Sequence, residues 1–219
     1  MEEMKNMYGD LGIHRPKLLL PGEKFNYNGL LPTGPELFNY LDRDQIINGI
    51  FDLFKDPNVC KYNSEKRLLT LEEVNNFFLW SLNEQKESKS YNYHIINSKF
   101  NIYIGIIQNI SYLGIQDYYP FLLDYIRNIK KSWVLEFYSI PKVWGVNLMS
   151  HMLNEMLKVH VNQGYREFYA LVNPKNERCI KFLFKAGFRA VRDDDNIIVL
   201  TQNKAGVIGA VYCLVIKEK

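Results

Sequence analysis

The sequence has little cysteine, no long apolar run and almost no excess of charge, and each shortage excludes a class of protein. Its three cysteines, Cys60, Cys179 and Cys213, lie far apart, with no C-x-x-C pair and no histidine at ligand spacing. Such a set argues against a disulfide framework, gives no metal site and implies a reducing, cytoplasmic setting. No run of 18 apolar residues occurs, so no membrane span is expected. The stretch from Met1 to Gly12 carries acids and no apolar h-region, so it does not read as a signal peptide. The net charge of +3, from 27 Lys plus Arg against 24 Asp plus Glu, is too mild for nucleic-acid binding.

What is present is ordinary for a soluble globular chain: 219 residues, 47% hydrophobic and 23% charged, enough for one sizeable core. Residues 1–35 are punctuated by Pro16, Pro21, Gly22, Gly29, Pro32, Gly34 and Pro35, and read as an irregular extension. Short apolar pieces in it, Leu18 to Leu20 and Phe25 to Leu31, suit an arm or an edge strand. The domain proper then runs over 36–219.

Helical spacing of Ile46, Ile47, Ile50, Phe51 and Phe54 predicts a helix from Arg43 to Phe54, capped by Asp42 with Gln45 as capping-box partner. Asp56-Pro57 stops it. A second helix starts at Thr70, with Glu73 in the same role, and fades into the polar run from Asn83 to Ser90. Strands follow over Tyr91 to Ile96 and Asn101 to Ile110, around a turn at Asn97-Ser98-Lys99. The aromatic stretch from Tyr112 to Ile129 is broken at Asp117-Tyr118-Tyr119-Pro120, with a short helix expected from Phe121 to Ile129. Next come a buried strand from Trp133 to Ile140, a helix from Gly145 to Val161, a strand from Tyr165 to Val172 and a helix from Asn176 to Ala186. Strands from Phe188 to Thr201 and Val207 to Ile216 end the chain. This order describes one α/β domain with a mixed sheet, in which Trp133 to Val172 forms a parallel crossover.

Two segments carry chemistry. Ile140 to Met149 takes a buried strand through a turn containing Gly145 into a helix, whose first N–H groups and positive dipole end suit a phosphate. The same turn equally serves as a tight strand–helix connection. On that helix Met149, Met152, Leu153, Met156 and His160 share an apolar face, which makes His160 a satisfied core histidine. His151, Asn154, Glu155, Lys158 and Asn162 share the polar face. The second segment, Asn173 to Phe188, is a helix capped by Asn176 and ended by Gly187.

Together, in this order, Lys142-x-x-Gly145-x-Asn147 and Asn176-x-x-Cys179-x-x-Phe182-Leu183-x-x-x-Gly187-Phe188 resemble the pyrophosphate loop and following helix of the GNAT superfamily, the acyl-coenzyme-A-dependent N-acyltransferases. The Pro-x-x-Trp-Gly run from Pro141 to Gly145 looks most like the subgroup with ribosomal-protein N-terminal acetyltransferases. The resemblance covers about residues 36 to 216. It implies a mixed, mostly antiparallel sheet of about six or seven strands, flanked by helices, with its fourth and fifth strands splayed around acetyl-coenzyme A.

By that resemblance, main-chain groups around Tyr138 and Ile140 bond the pantetheine. Lys142, Val143, Trp144, Gly145, Val146, Asn147 and Leu148 hold the pyrophosphate, and Asn176 reaches the pantetheine arm. No metal is implied. Two departures stand out: Asn147 replaces a small loop residue, though Asn tolerates the left-handed region, and Leu183 stands where many members carry a tyrosine that protonates the leaving thiolate.

An attacking amine must lose a proton. Glu136, a carboxylate in an otherwise apolar strand, reads as that base, its pKa raised by burial, as the partner of a lysine, or as a residue turned to solvent at a bulge. Tyr138, two residues on, is a possible relay. Cys179 reads as packing rather than as a nucleophile. The expected acceptor is a small amine or a peptide N-terminus, and the protein a monomer or homodimer. Tyr118, Tyr119, Phe121 and Tyr125 suit an acceptor lid, a sheet-edge cover or a dimer contact. The Asp193 to Asp195 run suits a solvated turn or a site attracting a cationic acceptor. The other class of function open to such a fold is a non-catalytic acyl-coenzyme-A-binding or partner-binding module.

Overall fold

In the computed structural model the described residues are 17–20, 23–26, 30–32, 41–63, 66–97, 102–145 and 147–216. Strands β1 (Lys17–Leu20) and β2 (Glu23–Asn26) pair with each other, and β3 (Leu30–Pro32) adds to the edge of the main sheet, as an edge strand in the extension should.

Local capping sets the first two helices. Helix α1 (Arg43–Lys55) starts where Asp42 Oδ1 accepts the Gln45 N–H at 2.7 Å and Gln45 Oε1 accepts the Asp42 N–H at 2.9 Å. Helix α2 (Leu71–Lys86) repeats the device with Thr70 and Glu73. Both close on the sheet through apolar stripes, Ile46, Ile47, Ile50 and Phe54 from α1 and Val74 and Phe78 from α2. A Cβ at Gly49 would stand 2.2 Å from Tyr103 Cβ, so glycine lets α1 lie directly on the sheet.

The remaining elements are β4 (Ser90–Asn97), β5 (Ile102–Ile110), α3 (Tyr112–Tyr118), β6 (Ser132–Ser139), α4 (Leu148–Asn162), β7 (Glu167–Val172), α5 (Glu177–Lys185), β8 (Arg189–Ala190), β9 (Leu200–Gln202) and β10 (Ile208–Val215). The main sheet runs β3-β4-β5-β6-β7-β10-β8, with β9 pairing β10 off that path. Every pairing is antiparallel except β6 with β7, which is the parallel crossover read from the sequence.

The structure departs from the sequence expectation in three places. The stretch 112–131 holds α3 and 3₁₀ turns over Pro120–Tyr125 and Ile129–Lys131, because Pro120 cuts the helix short. The strand expected from Phe188 to Thr201 reduces to β8, one bridge between Arg192 and Ile198, and β9. Glu155, placed on the polar face of its helix, is buried, with exposed Lys158 covering its carboxylate at 2.7 Å. The turn expected at Asn97 to Lys99 lies partly outside the described residues.

Strand β6 divides the core. Trp133 and Leu135 face α4 and α5, with Phe137 packed beside them, while Val134 and Tyr138 face the side covered by α1, α2 and α3. Alternation puts Glu136 on that second side, between two apolar clusters.

Candidate active site

The parallel ladder between β6 and β7 contains three pairs, Ser132 with Glu167, Trp133 with Phe168 and Val134 with Tyr169, and then stops. Beyond it β6 stays bonded to β5 as far as Ser139 opposite Gly105, while β7 stays bonded to β10 as far as Val172 opposite Ala210. The two strands therefore part in mid-sheet. The Ile140 N–H donates to Ile104 C=O at 2.9 Å, away from the opening. By strand alternation the main-chain groups facing the gap are those of Leu135, Phe137 and Ser139, one residue out of step with the sequence assignment to Tyr138 and Ile140.

A narrow cavity of about 100 Å³ occupies the parting, lined by Glu136, Tyr138, Asn176 and Cys179 among others. A second cavity of about 370 Å³ lies on the α2–α3 side, lined by Lys66, Trp80, Gln108 and Tyr118 among others. Tyr119, Glu136 and Asn203 line both. Glu136 thus stands at the junction of two compartments.

Its surroundings come from three elements. The Tyr119 hydroxyl donates to Glu136 Oε1, Tyr138 donates to Oε2 at 3.1 Å, and Lys66 Nζ lies 3.1 Å from Oε2. Asn63 Nδ2 donates to the Tyr138 hydroxyl at 2.8 Å. Burial pushes the Glu136 carboxyl upward, but the Lys66 charge and the hydrogen bonds from Tyr119, Lys66 and Tyr138 prevail and hold it below its ordinary value. The expectation of a raised pKa is therefore corrected, because two of the compensating groups, Lys66 and Tyr119, come from segments remote in sequence. Tyr138, pushed up by burial and by the Glu136 charge, is a neutral phenol.

The loop after β6 begins as a 3₁₀ turn, Pro141–Val143, in which the N–H groups of Val143 and Trp144 already donate to Ile140 and Pro141 carbonyls. Val143 and Leu148 are buried and pin the loop at both ends, whereas Lys142 is exposed. Gly145 has φ +86° and Asn147, the N-cap of α4, has φ +60°. The left-handed backbone at these two positions turns the chain into the helix. Leu148, Met149 and Ser150 have no intrahelical acceptor for their N–H groups, since the first such bond is His151 N–H to Asn147 C=O. Val146 lies outside the described residues.

Asn176 lines the parting while its Oδ1 caps α5 at the Cys179 N–H, 3.2 Å away. Burial pushes the Cys179 thiol up to about 12, which leaves it an inert packing group. Leu183 is fully buried in the core. His160 is buried too, with Nε2 2.8 Å from Asn109 Nδ2.

Sequence reasoning missed Lys66, Asn63 and Asn203, which sit in loops with no local pattern. It also missed Arg178, whose guanidinium lies 4.0 Å over the Trp144 ring and ties α5 to the loop. Of the four lid candidates Tyr118 and Tyr119 line the second cavity, while Phe121 and Tyr125 are exposed. Among the described residues no group of three acidic, histidine or cysteine side chains is placed to hold a metal ion, and no helix is long and apolar enough to cross a membrane.

No curated protein matches the chain. Solved structures do. RimL, a ribosomal alpha-N-protein acetyltransferase in complex with coenzyme A, aligns at TM-score 0.60 and 12% identity over 85% of this chain and 93% of that one. A GNAT-family acetyltransferase from Bacillus anthracis aligns at TM-score 0.59 and 17% identity over 87% and 97%. Spermidine N-acetyltransferase from Vibrio cholerae, in complex with coenzyme A and spermine, aligns at TM-score 0.57 and 13% identity over 80% and 92%. These likenesses are of fold. The model of the acetyltransferase (GNAT) domain matches residues 40–189, more than half of the sequence, and with it the chain belongs to the GNAT acetyltransferase family.

Proposed function

We propose that this protein transfers an acetyl group from acetyl-coenzyme A to a primary amine, on a small molecule or a peptide N-terminus, by direct attack with both substrates bound. The observation that carries this reading is the parting of β6 from β7 after Val134 and Tyr169, with Glu136 at the junction of the two cavities.

Acetyl-coenzyme A supplies a thioester carbonyl. The gap-facing main chain of Leu135, Phe137 and Ser139 and the Asn176 amide line its pantetheine. The first N–H groups of α4, with Lys142 beside them, meet the pyrophosphate. An amine nitrogen entering from the second cavity forms the new C–N bond as the C–S bond breaks, and one proton passes in net from nitrogen to sulfur. Glu136, ionised at neutral pH, draws that proton off, and Tyr119 and Tyr138 orient it. A main-chain N–H along the gap polarises the carbonyl.

Thiol release from acetyl-coenzyme A, followed over an amine panel, tests the reading, with Glu136→Gln as the key variant. Loss of the base lowers kcat by about 100-fold or more, while calorimetric binding of coenzyme A persists. A variant as active as the wild type at every pH removes Glu136 from the mechanism.

The second reading is a non-catalytic acyl-coenzyme-A-binding module. It is favoured by the Lys66 pair that occupies Glu136 and by Leu183 being core. Tight coenzyme A binding without thiol release for any amine decides for it.

A further inference from the structure

The second cavity has the volume of a small-molecule site. One wall is fixed by main chain. The turn between β9 and β10 is held to the segment after β5, since the Lys204 N–H donates to Tyr118 C=O at 2.8 Å and Thr201 Oγ1 donates to Phe121 C=O at 3.2 Å. Lys204 therefore sits at a set place on the rim. Opposite, Trp80 and Tyr118 meet edge to face with ring centroids 5.9 Å apart.

Charge is the discriminating feature. Among the described residues lining this cavity, the charged side chains are Lys66, Glu136 and Lys204. Lys66 already neutralises Glu136, so Lys204 is the charge left over. Two carboxylates stand behind this lining without joining it: Glu84 accepts from the Tyr118 hydroxyl and keeps its charge, and Asp117 pairs with Lys89 at 2.9 Å. The Asp193 to Asp195 turn is exposed and lines neither cavity.

We infer that the acceptor is an amine of single positive charge that also carries an anionic group, a carboxylate or phosphate. The anion pairs with Lys204, the body rests on Trp80 and Tyr118, and the nitrogen points to Glu136. Polyamines and aminoglycosides bring several cations against a lining whose own balance is positive, and like charges there repel. The inference rests on the acetyltransferase reading and narrows its acceptor.

The test uses the full chain with acetyl-coenzyme A and a charge-sorted panel. Glutamate, phosphoethanolamine and an acidic tetrapeptide are the anionic arms, β-phenylethylamine the monocationic arm without an anion, and spermidine and ribostamycin the polycationic arms. The expected result is a kcat/KM for at least one anionic arm about 10-fold or more above both polycations. Which anionic arm leads separates a small acceptor from a peptide N-terminus. Lys204→Glu lowers that value by about 10-fold and, because it replaces a repelling charge by an attracting one, does not lower that for β-phenylethylamine. Tryptophan fluorescence titration of the same compounds on the coenzyme A complex reads the preference even without turnover. A polycation preferred by the wild type, or a Lys204→Glu variant with an unchanged anionic-to-monocationic ratio, overturns the inference and leaves the acetyltransferase reading standing. A chain that does not bind coenzyme A in calorimetry sinks that reading instead.

Discussion

Lys66, from the loop between α1 and α2, and Glu136, from the middle of β6, pair at 3.1 Å across the junction of the two cavities. The pair couples the loop to the strand and sets the basicity of the carboxylate. Lys66→Met removes the positive charge and leaves the burial, so the pKa of Glu136 rises. Loss of a charged hydrogen bond costs about 1.5–3 kcal/mol of stability, and Lys66→Arg restores most of it. Urea titration measures the loss of stability. The acid limb of kcat/KM, displaced toward higher pH in Lys66→Met, measures the rise in pKa. An unmoved limb in a folded variant contradicts the coupling.

The wild-type pH profile follows from the same pair. Glu136 is held below its ordinary 4.5, so it is ionised throughout the neutral range. The group that must still titrate is the ammonium of the acceptor. From pH 6 to 9 kcat/KM therefore rises with pH, without a limb near 6.5. A bell centred near neutrality assigns the base to another group.

Buried histidines give the fold its own acid sensitivity. Burial lowers His160 to about 4 and His94 to about 3. Unfolded, each takes a proton near pH 6.5. Between about 4 and 6.5 the unfolded chain binds more protons, so stability is lost as pH falls through that window, by up to about 1.4 kcal/mol per unit per group. The Glu136 contribution is lost only below that, as pH drops under 4.5. Urea midpoints from pH 7 to 4.5 show the decline, and His160→Phe makes it shallower. A slope equal to wild type shows that His160 is not responsible.

What the sequence shows and what it hides divide by range. Asp42 with Gln45 and Thr70 with Glu73 are three residues apart, so their caps are legible as spacing. The Asn176 cap and the strand–turn–helix around Gly145 are equally local. Glu136 is conspicuous as a charge in an apolar strand, but its chemistry is decided by Lys66, Tyr119 and Tyr138. Lys66 carries no local signal, and Tyr119 sits in a stretch whose α3 and 3₁₀ turns blur helical periodicity. Which main-chain groups face the gap depends on the register of β5, fixed by Ile140 N–H to Ile104 C=O. Register is a property of two strands and cannot be read from one.

The loop that would meet the coenzyme turns on Gly145. Its φ of +86° is in the left-handed region, while a Cβ there would meet nothing within 4 Å. Space is therefore not what requires glycine in the protein alone. Backbone conformation is, at a cost of about 1 kcal/mol for another residue. A diphosphate brought against the α4 start adds the second requirement, because a side chain at 145 would stand between it and the N–H groups. Gly145→Asp combines strain, bulk and negative charge, and each lost charge-assisted bond costs about 1.5–3 kcal/mol. Coenzyme A affinity falls by at least about 100-fold, or about 2.7 kcal/mol. Gly145→Ala carries the same strain with no charge and loses less. Circular dichroism confirms folding, since Val143 and Leu148 still anchor the loop in the core. Calorimetric titration of wild type and both variants gives the ordering, wild type above alanine above aspartate. A folded Gly145→Asp protein that binds coenzyme A as tightly as the wild type would falsify the placement of the pyrophosphate at this turn.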